Sequence, residues 1–462
     1  MNKISLHIPP QMWQKFSQSM LTARSQNEEV IGFLFCQRQQ INKNQVRYIP
    51  KSWVVPLPNC YEHQDIDGLI LKQEFHQFLL ENQLEKQELD VVHIHTHAGQ
   101  EIPDFSYIDD RYESEYAQFL SKNFKHKPYL ISGVFNSNLQ QGKFRIWNRK
   151  GNSFEQVKFS NSWLEIKNTN NNLLGENELM LSRQKIFGET AQQQLNQLKV
   201  ALIGCGGIGS IFAELLGRLG VKNWVLIDPD RLEETNLNRM VAATYLMVEK
   251  QEHKVNYVKG LIKRIYQTGS NVKGISSKIE AESIKKEIID CDLLVVATDN
   301  HYSRQIAQEL ALEYTLPFIC LGTHIDFKPF LRMYCRITIP PLGGNWCLMC
   351  GNIINLHKAA LEIAPQEIYH LAADRGYLEG INNPGVFWLN SICASTAVGI
   401  IQGIISGFLN VEKGIDWIYQ FPDSKWLKTD VRSLINSNCY FCASSDEKLQ
   451  DDSLLMDKSY IL

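Results

Sequence analysis

The sequence predicts an α/β protein of two domains, the second built on a parallel sheet with helices on both faces. Three observations carry that prediction. From Leu198 the chain runs strand, glycine-rich turn, helix and strand (KVALIG, CGGIGS, IFAELLGRLG, NWVLID), the order and lengths of a βαβ unit. A later apolar run, Leu293 to Ala297, stops at Thr298-Asp299-Asn300, where the carboxyl end of a parallel strand faces a ligand crevice. Ahead of both, residues 1–160 alternate apolar strand-like runs with helical stretches, and the polar stretch Asn168 to Asn172 then has little to bury.

In the first domain, strands are expected at Val30–Cys36, Val46–Ile49, Val91–His95, Pro128–Phe135 and Lys143–Trp147, with helices at Gln11–Arg24 and Gly68–Glu81. The expected division is a domain over 1–165, a linker over 166–175, a second domain over 176–445 and a tail over 446–462. A chain of 462 residues exceeds one ordinary core, and 44% hydrophobic with 21% charged residues is a globular composition. Forty-seven basic residues against 50 acidic ones, with no dense Lys/Arg block, argue against nucleic acid as a partner. The start lacks the apolar stretch of a signal peptide, so the cytoplasm is the expected compartment. Ile392 to Leu409, broken by Ser395, Thr396, Gln402 and Ser406, reads as a buried helix and not a membrane span.

Gly204, Gly206, Gly207 and Gly209 let the backbone approach a phosphate, and the helix that follows points free N–H groups at it. Asp228, ending the next strand, suits a ribose in either a dinucleotide or ATP. The stretch Asp228-Pro-Asp-Arg-Leu-Glu-Glu-Thr-Asn236-Leu-Asn-Arg239, then Lys254 and Asp299, supplies the cations and metal-holding carboxylate that a triphosphate needs. With Ser182-Arg183-Gln184 ahead of the first strand, these motifs resemble the E1-like, or ThiF-type, adenylyltransferases from about Leu181 to Cys442. The resemblance implies a Rossmann-like domain in which Asp228 holds the ribose and Asn236, Arg239 and Lys254 contact the phosphates. It further implies that Asp299 holds Mg²⁺ and that Arg183 reaches the phosphates of a partner subunit in a homodimer. Its substrate would be a ubiquitin-like β-grasp protein ending in Gly, whose carboxylate becomes an acyl-adenylate.

Cys347-x₂-Cys350 and Cys439-x₂-Cys442 are spaced as the two knuckles of a closed, structural zinc site. Conjugating members of the family also carry a thioester-forming cysteine in the segment after the first knuckle, but Gly351 to Asn390 holds no Cys, Ser or Thr. Cys393, in an apolar helix-like run, and Cys205, inside the glycine loop, read as packing residues whose thiols apolar surroundings would raise, so no thioester is expected on this chain. The adenylate would pass directly to an E2-like protein or to a sulfur donor.

In the first domain strand residues Val91 and Val92 lead into His93-Ile-His95-Thr-His97, followed by Ser106-Tyr-Ile-Asp109. Alternate strand residues share a face, so His95 and His97, with Asp109 as third ligand, suit a zinc site with one open position. His93 and His95 alternate equally well. The set, with Glu29-Val-Ile-Gly32 upstream, resembles the JAMM (MPN⁺/JAB) metalloproteases, which favours the His95/His97 pair. That resemblance implies a JAB-type α/β domain with Glu29 as general base and Ser106 stabilising the oxyanion. Together the two resemblances imply ATP, Mg²⁺ and two zinc ions per chain, one catalytic and one structural. Both halves would act on one Gly-ended tail, either in modifier conjugation with precursor trimming or deconjugation, or in thiocarboxylate formation on a sulfur carrier.

Overall fold

The computed structural model describes residues 3–24, 28–65, 68–85, 87–99, 101–166, 179–266, 268–327, 330–365 and 385–443. The chain divides into two compact units, one ending at Ser162 and the other starting at Trp163. Trp163 and Ile166 are buried in the core of the second unit. Apart from Ile166, the expected linker lies outside the described residues, as does the tail.

The first unit is a closed barrel in the order β1 (Lys3–His7), β3 (Gln45–Val54), β2 (Ile31–Asn42), β6 (Asp90–His97), β7 (Leu130–Asn136), β8 (Gly142–Trp147) and β9 (Phe154–Ser160). Parallel pairing of β1 with both β3 and β9 closes it. Each strand puts alternate residues on opposite faces. On β6, Val92 and Ile94 join the core under α1 (Pro10–Thr22), whereas Val91 joins the core under α2 (Gln73–Leu79) and α3 (Tyr107–Asn123). His93, His95 and His97 therefore stand on the α3 face.

The expected helix over Gly68–Glu81 is a correction. Leu69–Leu71 is instead a short strand, β5, paired with β4 (Tyr61–Gln64), and the helix starts only at Gln73. The run Leu-Ile-Leu was long enough to register as apolar and too short to carry a period. Helix α3 gave no such signal because only Glu113, Ala117 and Leu120 of its seventeen residues are buried.

The second unit has an eight-stranded sheet ordered β12 (Asn271–Ile275), β11 (Asn223–Ile227), β10 (Lys199–Ile203), β13 (Leu293–Val296), β14 (Phe318–Asp326), β15 (Arg332–Ile339), β16 (Ile415–Phe421) and β17 (Lys425–Lys428). The first five strands are parallel and the last three antiparallel. Val200 and Leu202 join one core, which includes residues of α5 (Gly207–Arg218), α7 (Lys254–Ile265) and α11 (Phe387–Ile405). Ala201 and Ile203 join the other, with residues of α8 (Glu282–Ile289) and α9 (His301–Glu313). Helices thus cover both faces, as the βαβ pattern implied. One helix among the described residues, α11, is long and apolar enough to cross a membrane, yet it packs on α5, β14 and β15 within this unit. The chain leaves β10 toward β11 on one side and later returns to β13 on the other, so a crevice opens between their carboxyl ends.

Candidate functional site

The glycine loop sits at that crevice. Gly204 follows β10 with φ +90°, a conformation that disfavours any side chain, and a Cβ on Gly209 would stand 1.9 Å from the Gly204 carbonyl. Gly206 caps α5 and Gly207 begins it. Asp228, buried at the end of β11, accepts from the backbone N–H of Cys205 (2.7 Å) and of Asp230 (2.9 Å). Burial raises its pKa, and Lys254 and those two N–H groups oppose the rise.

Around the loop the predicted residues divide. A Cβ on Gly207 would meet the Arg239 carbonyl at 3.2 Å and its side chain at 3.4 Å, so Arg239 lines the loop. Asp299 is exposed just beyond β13, and the neighbouring Thr298 methyl lies 3.0 Å from a Cβ built on Gly204. Lys254 opens α7 and its ammonium is paired with Asp230 at 2.8 Å. Asn236 is buried, and its side-chain oxygen accepts from the Glu233 N–H (3.2 Å), closing the turn Glu234–Asn236. Arg183 is not brought to this crevice. Its neighbour Gln184 donates to the Arg218 carbonyl, at the far end of α5, about 18 Å along the helix from the glycine loop. Asn390 of α11 was missed by sequence reasoning. Its Nδ2 lies 2.5 Å from a Cβ on Gly207, and no local pattern marks it.

Cys205 and Cys393 are buried, and both thiols are raised well above the usual range, Cys205 chiefly by burial and Cys393 by its contact with Cys335 and by burial. The segment 366–384, within the stretch that lacks Cys, Ser and Thr, lies outside the described residues.

The four knuckle cysteines converge. Sγ separations are 3.8 Å (Cys347–Cys350), 3.7 Å (Cys347–Cys439) and 3.5 Å (Cys350–Cys442). Thiolates about 2.3 Å from one tetrahedral ion stand about 3.8 Å apart, so the donor set fits zinc. Hydrogen bonds within the cluster lower Cys347 to about 6, while burial and the neighbouring Cys347 raise Cys350 to about 12. Crowded thiols without a cation cannot all ionise, and a dication removes that conflict.

On the barrel, His95 Nε2 lies 3.2 Å from His97 Nε2 and 3.2 Å from Asp109 Oδ1, and His97 Nε2 lies 3.4 Å from Asp109 Oδ2. Ligands about 2.0–2.1 Å from a tetrahedral zinc stand about 3.3 Å apart, so these edges fit as well. Asp109 is held by a capping box at the start of α3, in which Ser106 Oγ accepts from Asp109 N–H (3.1 Å) and Asp109 Oδ2 accepts from Ser106 N–H (2.6 Å). Burial alone would raise the Asp109 carboxyl, but hydrogen bonds with His95, His97 and Ser106 hold it well below the usual carboxylate range.

Glu29 is anchored beside them because Thr96 bonds Val30 twice, through its N–H to the Val30 carbonyl and through Oγ1 from the Val30 N–H. Burial pushes Glu29 up to about 7, opposed by His97 and the Ala98 N–H and reinforced by Asp109 and Asp65. His93, the alternative ligand, meets Glu113 at 3.4 Å. Glu113, Arg145 and Trp147 form a buried network behind the histidines that the sequence did not announce, since Glu113 stands more than thirty residues from the other two in the chain.

A model of the ThiF family matches residues 181–448, more than half of the chain. The chain belongs to the ThiF family. It is 30% identical over 194 residues to the sulfur carrier protein ThiS adenylyltransferase of Bacillus subtilis, a match covering 40% of this chain and 56% of that protein. It is 29% identical over 166 residues to the ubiquitin-like modifier-activating enzyme 5 of Culex quinquefasciatus (32% and 42% covered). With the SAMP-activating enzyme E1 of Haloferax volcanii it shares 24% over 134 residues (29% and 48% covered). The chain thus spans about half the length of these curated relatives. Among solved structures, E. coli MccB with MccA-N7isoASN is similar at 18% identity and a TM-score of 0.47, covering 58% of this chain and 76% of that one. The family match falls in the second unit, and the barrel is read from its own geometry.

Proposed function

We propose that the second unit uses Mg-ATP to adenylate the C-terminal carboxylate of a small ubiquitin-like or sulfur-carrier protein, and that the barrel is a zinc-dependent peptidase of JAMM type acting after the same Gly-ended tail. The first half of this reading is supported by membership of the ThiF family and by the glycine loop flanked by Asp228, Arg239 and Asp299 at one crevice. In that reaction a carboxylate oxygen of the partner bonds the α-phosphorus of ATP and pyrophosphate leaves. Arg239 and Lys254 would stabilise charge on the departing pyrophosphate, Asp228 would hold the ribose, and Asp299 would hold Mg²⁺. Arg183, exposed and far from its own chain's crevice, would serve that of a second copy in a homodimer.

The second half is supported by the His95/His97/Asp109 triangle standing beside Glu29. A zinc ion held there would supply a Lewis acid that polarises a carbonyl and acidifies water. Glu29, its carboxyl raised to about 7, is suited to take a proton from water and return it to the leaving amine. The Ser106 hydroxyl accepts from Asp109 and keeps its own proton to offer an oxyanion. The site would work in the cytoplasm, where ATP is abundant and thiols stay reduced.

Sulfur transfer is a second reading with which one observation is compatible. Cys205 and Cys393 are buried with raised pKa, and residues 351–390 contain no Cys, Ser or Thr, so the adenylate is best passed straight to an outside thiol, that of an E2-like protein or of a sulfur donor. ATP–pyrophosphate exchange with β-grasp proteins ending in Gly tests the main reading. Exchange should appear with a matched partner and fall by about 10²-fold or more in Arg239→Ala, and an unchanged rate would overturn it. Intact-mass analysis should find an adenylated partner and no adduct on this chain. Cleavage of a partner extended beyond its Gly should be lost in His97→Ala, and cleavage at the original rate would remove the peptidase half.

A further inference from the structure

Two overlapping donor groups share the imidazole of His95. One is His95, His97 and Asp109, and the other is His93, His95 and Glu113, and within each the ligand atoms lie within 4.8 Å of one another. The three histidines stand on one face of β6, and Asp109 and Glu113 lie about one turn apart on α3, so strand and helix repeat in step and offer a cation two adjacent seats. Only the first seat adjoins Glu29. Strand alternation does not choose between them.

What differs is the company of the two carboxylates. Glu113 is buried, and its Oε2 accepts from Arg145 Nε (2.8 Å) and Trp147 Nε1 (2.8 Å), with Arg145 Nη2 at 2.6 Å. The guanidinium cannot swing away. Its carbon lies 3.7 Å over Phe105, 4.7 Å over Phe154 and 5.0 Å over Trp147, and Nη1 reaches Asp110. Asp109, by contrast, takes its hydrogen bonds from His95, His97 and the Ser106 backbone. A dication at the Glu113 seat would face a fixed positive charge in a buried place where screening is weak, and it would find the carboxylate already neutralised.

We propose that Arg145 decides where the barrel binds its metal: by neutralising Glu113 it closes the His93/His95/Glu113 seat and leaves the ion to the His95/His97/Asp109 seat beside Glu29. Arg145 is a positioning residue, acting on the ion through Glu113. The inference rests on the metal-centre reading above.

Cobalt(II) titration of the full chain, its cysteine cluster filled with zinc, tests this through the visible spectrum of cobalt on nitrogen and oxygen ligands. In the otherwise unaltered protein, His97→Ala should weaken cobalt binding by at least about tenfold, and His93→Ala should change it far less. Adding Arg145→Met to His97→Ala should recover most of the lost affinity with a changed spectrum, and adding Glu113→Gln should abolish the recovery. Arg145→Gln, which removes the charge and keeps a hydrogen bond to Glu113, serves if the Met variant does not fold, and Arg145→Lys should not open the second seat. A double variant that binds no more tightly than His97→Ala alone overturns the role of Arg145. An original chain that shows no cobalt spectrum of this kind overturns the metal-centre reading itself.

Discussion

The cysteine cluster and the histidine–aspartate triad present donors at the spacing of one tetrahedral ion, but they are assembled differently and leave different things open. The cysteines come as two knuckles whose partners, Cys347 with Cys439 and Cys350 with Cys442, lie 92 residues apart, and the four thiols would fill a tetrahedral coordination. The triad takes two donors from one strand and one from the first turn of α3, numbers three among the described residues, and has Glu29 beside it. Four donors that fill a tetrahedral set leave no open position and suit the tying together of chain segments. Three donors with a carboxyl alongside leave a fourth position open. The supports differ in kind as well: the Arg336–Asp416 ion pair holds the strands next to the knuckle, while a capping box holds the triad's carboxylate.

The strongest test of this contrast is Cys442→Ser. Structural zinc in small domains supplies apparent binding energies of about 10–16 kcal/mol, so this change should lose one zinc by metal analysis and the cooperative melting of the second unit by calorimetry. His97→Ala should lose metal with that transition intact. Equal melting in both proteins would break the comparison.

A smaller effect is expected at Asp416, whose carboxylate accepts from Nε and Nη2 of Arg336 (2.7 and 2.9 Å) and from Thr338 and Thr429. The same Arg336 donates to the Gly351 carbonyl just after the first knuckle, so the pair braces the cysteine cluster. Asp416→Asn should cost about 3–5 kcal/mol by leaving the guanidinium without its counter-charge. Burial alone would raise the Asp416 pKa, but Arg336, Thr429 and Thr338 lower it. With the folded value below the unfolded one of about 3.9, the contribution is full above that pH and fades as pH falls through the folded value. The gap in denaturation midpoint between original and variant should therefore shrink between about pH 5 and pH 2. A gap constant with pH would mean the carboxylate's charge does not matter there.

The smallest effect is expected at the cap. Ser106→Ala should lower the stability of the barrel by about 0.5–2 kcal/mol in a denaturant melt. It should also weaken cobalt binding, because Asp109 loses the partner that fixes its turn. A fall in stability with unchanged metal affinity would show that His95, His97 and the backbone N–H of residue 106 suffice to orient Asp109.

Much of this was legible in the sequence wherever neighbours along the chain are neighbours in space. The glycine loop, Asp228 at the end of β11, the break after β13 and the shared face of His93, His95 and His97 all follow from strand and helix periods acting over a few residues. The same holds for Ser106 and Asp109, three residues apart in one capping box. Local sequence also indicated that Cys393, in an apolar helix-like run, and Cys205, inside the glycine loop, are packing residues, and both are buried.

Tertiary structure alone decided the rest. It separated Arg183 from its own crevice, turned the carboxamide of Asn236 inward to close a turn, brought Asn390 to the glycine loop, and set Arg145 on Glu113 rather than in water. These depend on which strands become neighbours and which helix crosses them, and a sequence with few buried positions on α3 carries almost no period from which to read that crossing. Sequence determined which residue types were available to bind an ion or a phosphate, because spacing along one element is local. Packing determined which of them kept their charge free to do so, because a buried cation such as Arg145 acts on whatever the fold brings within a few ångströms.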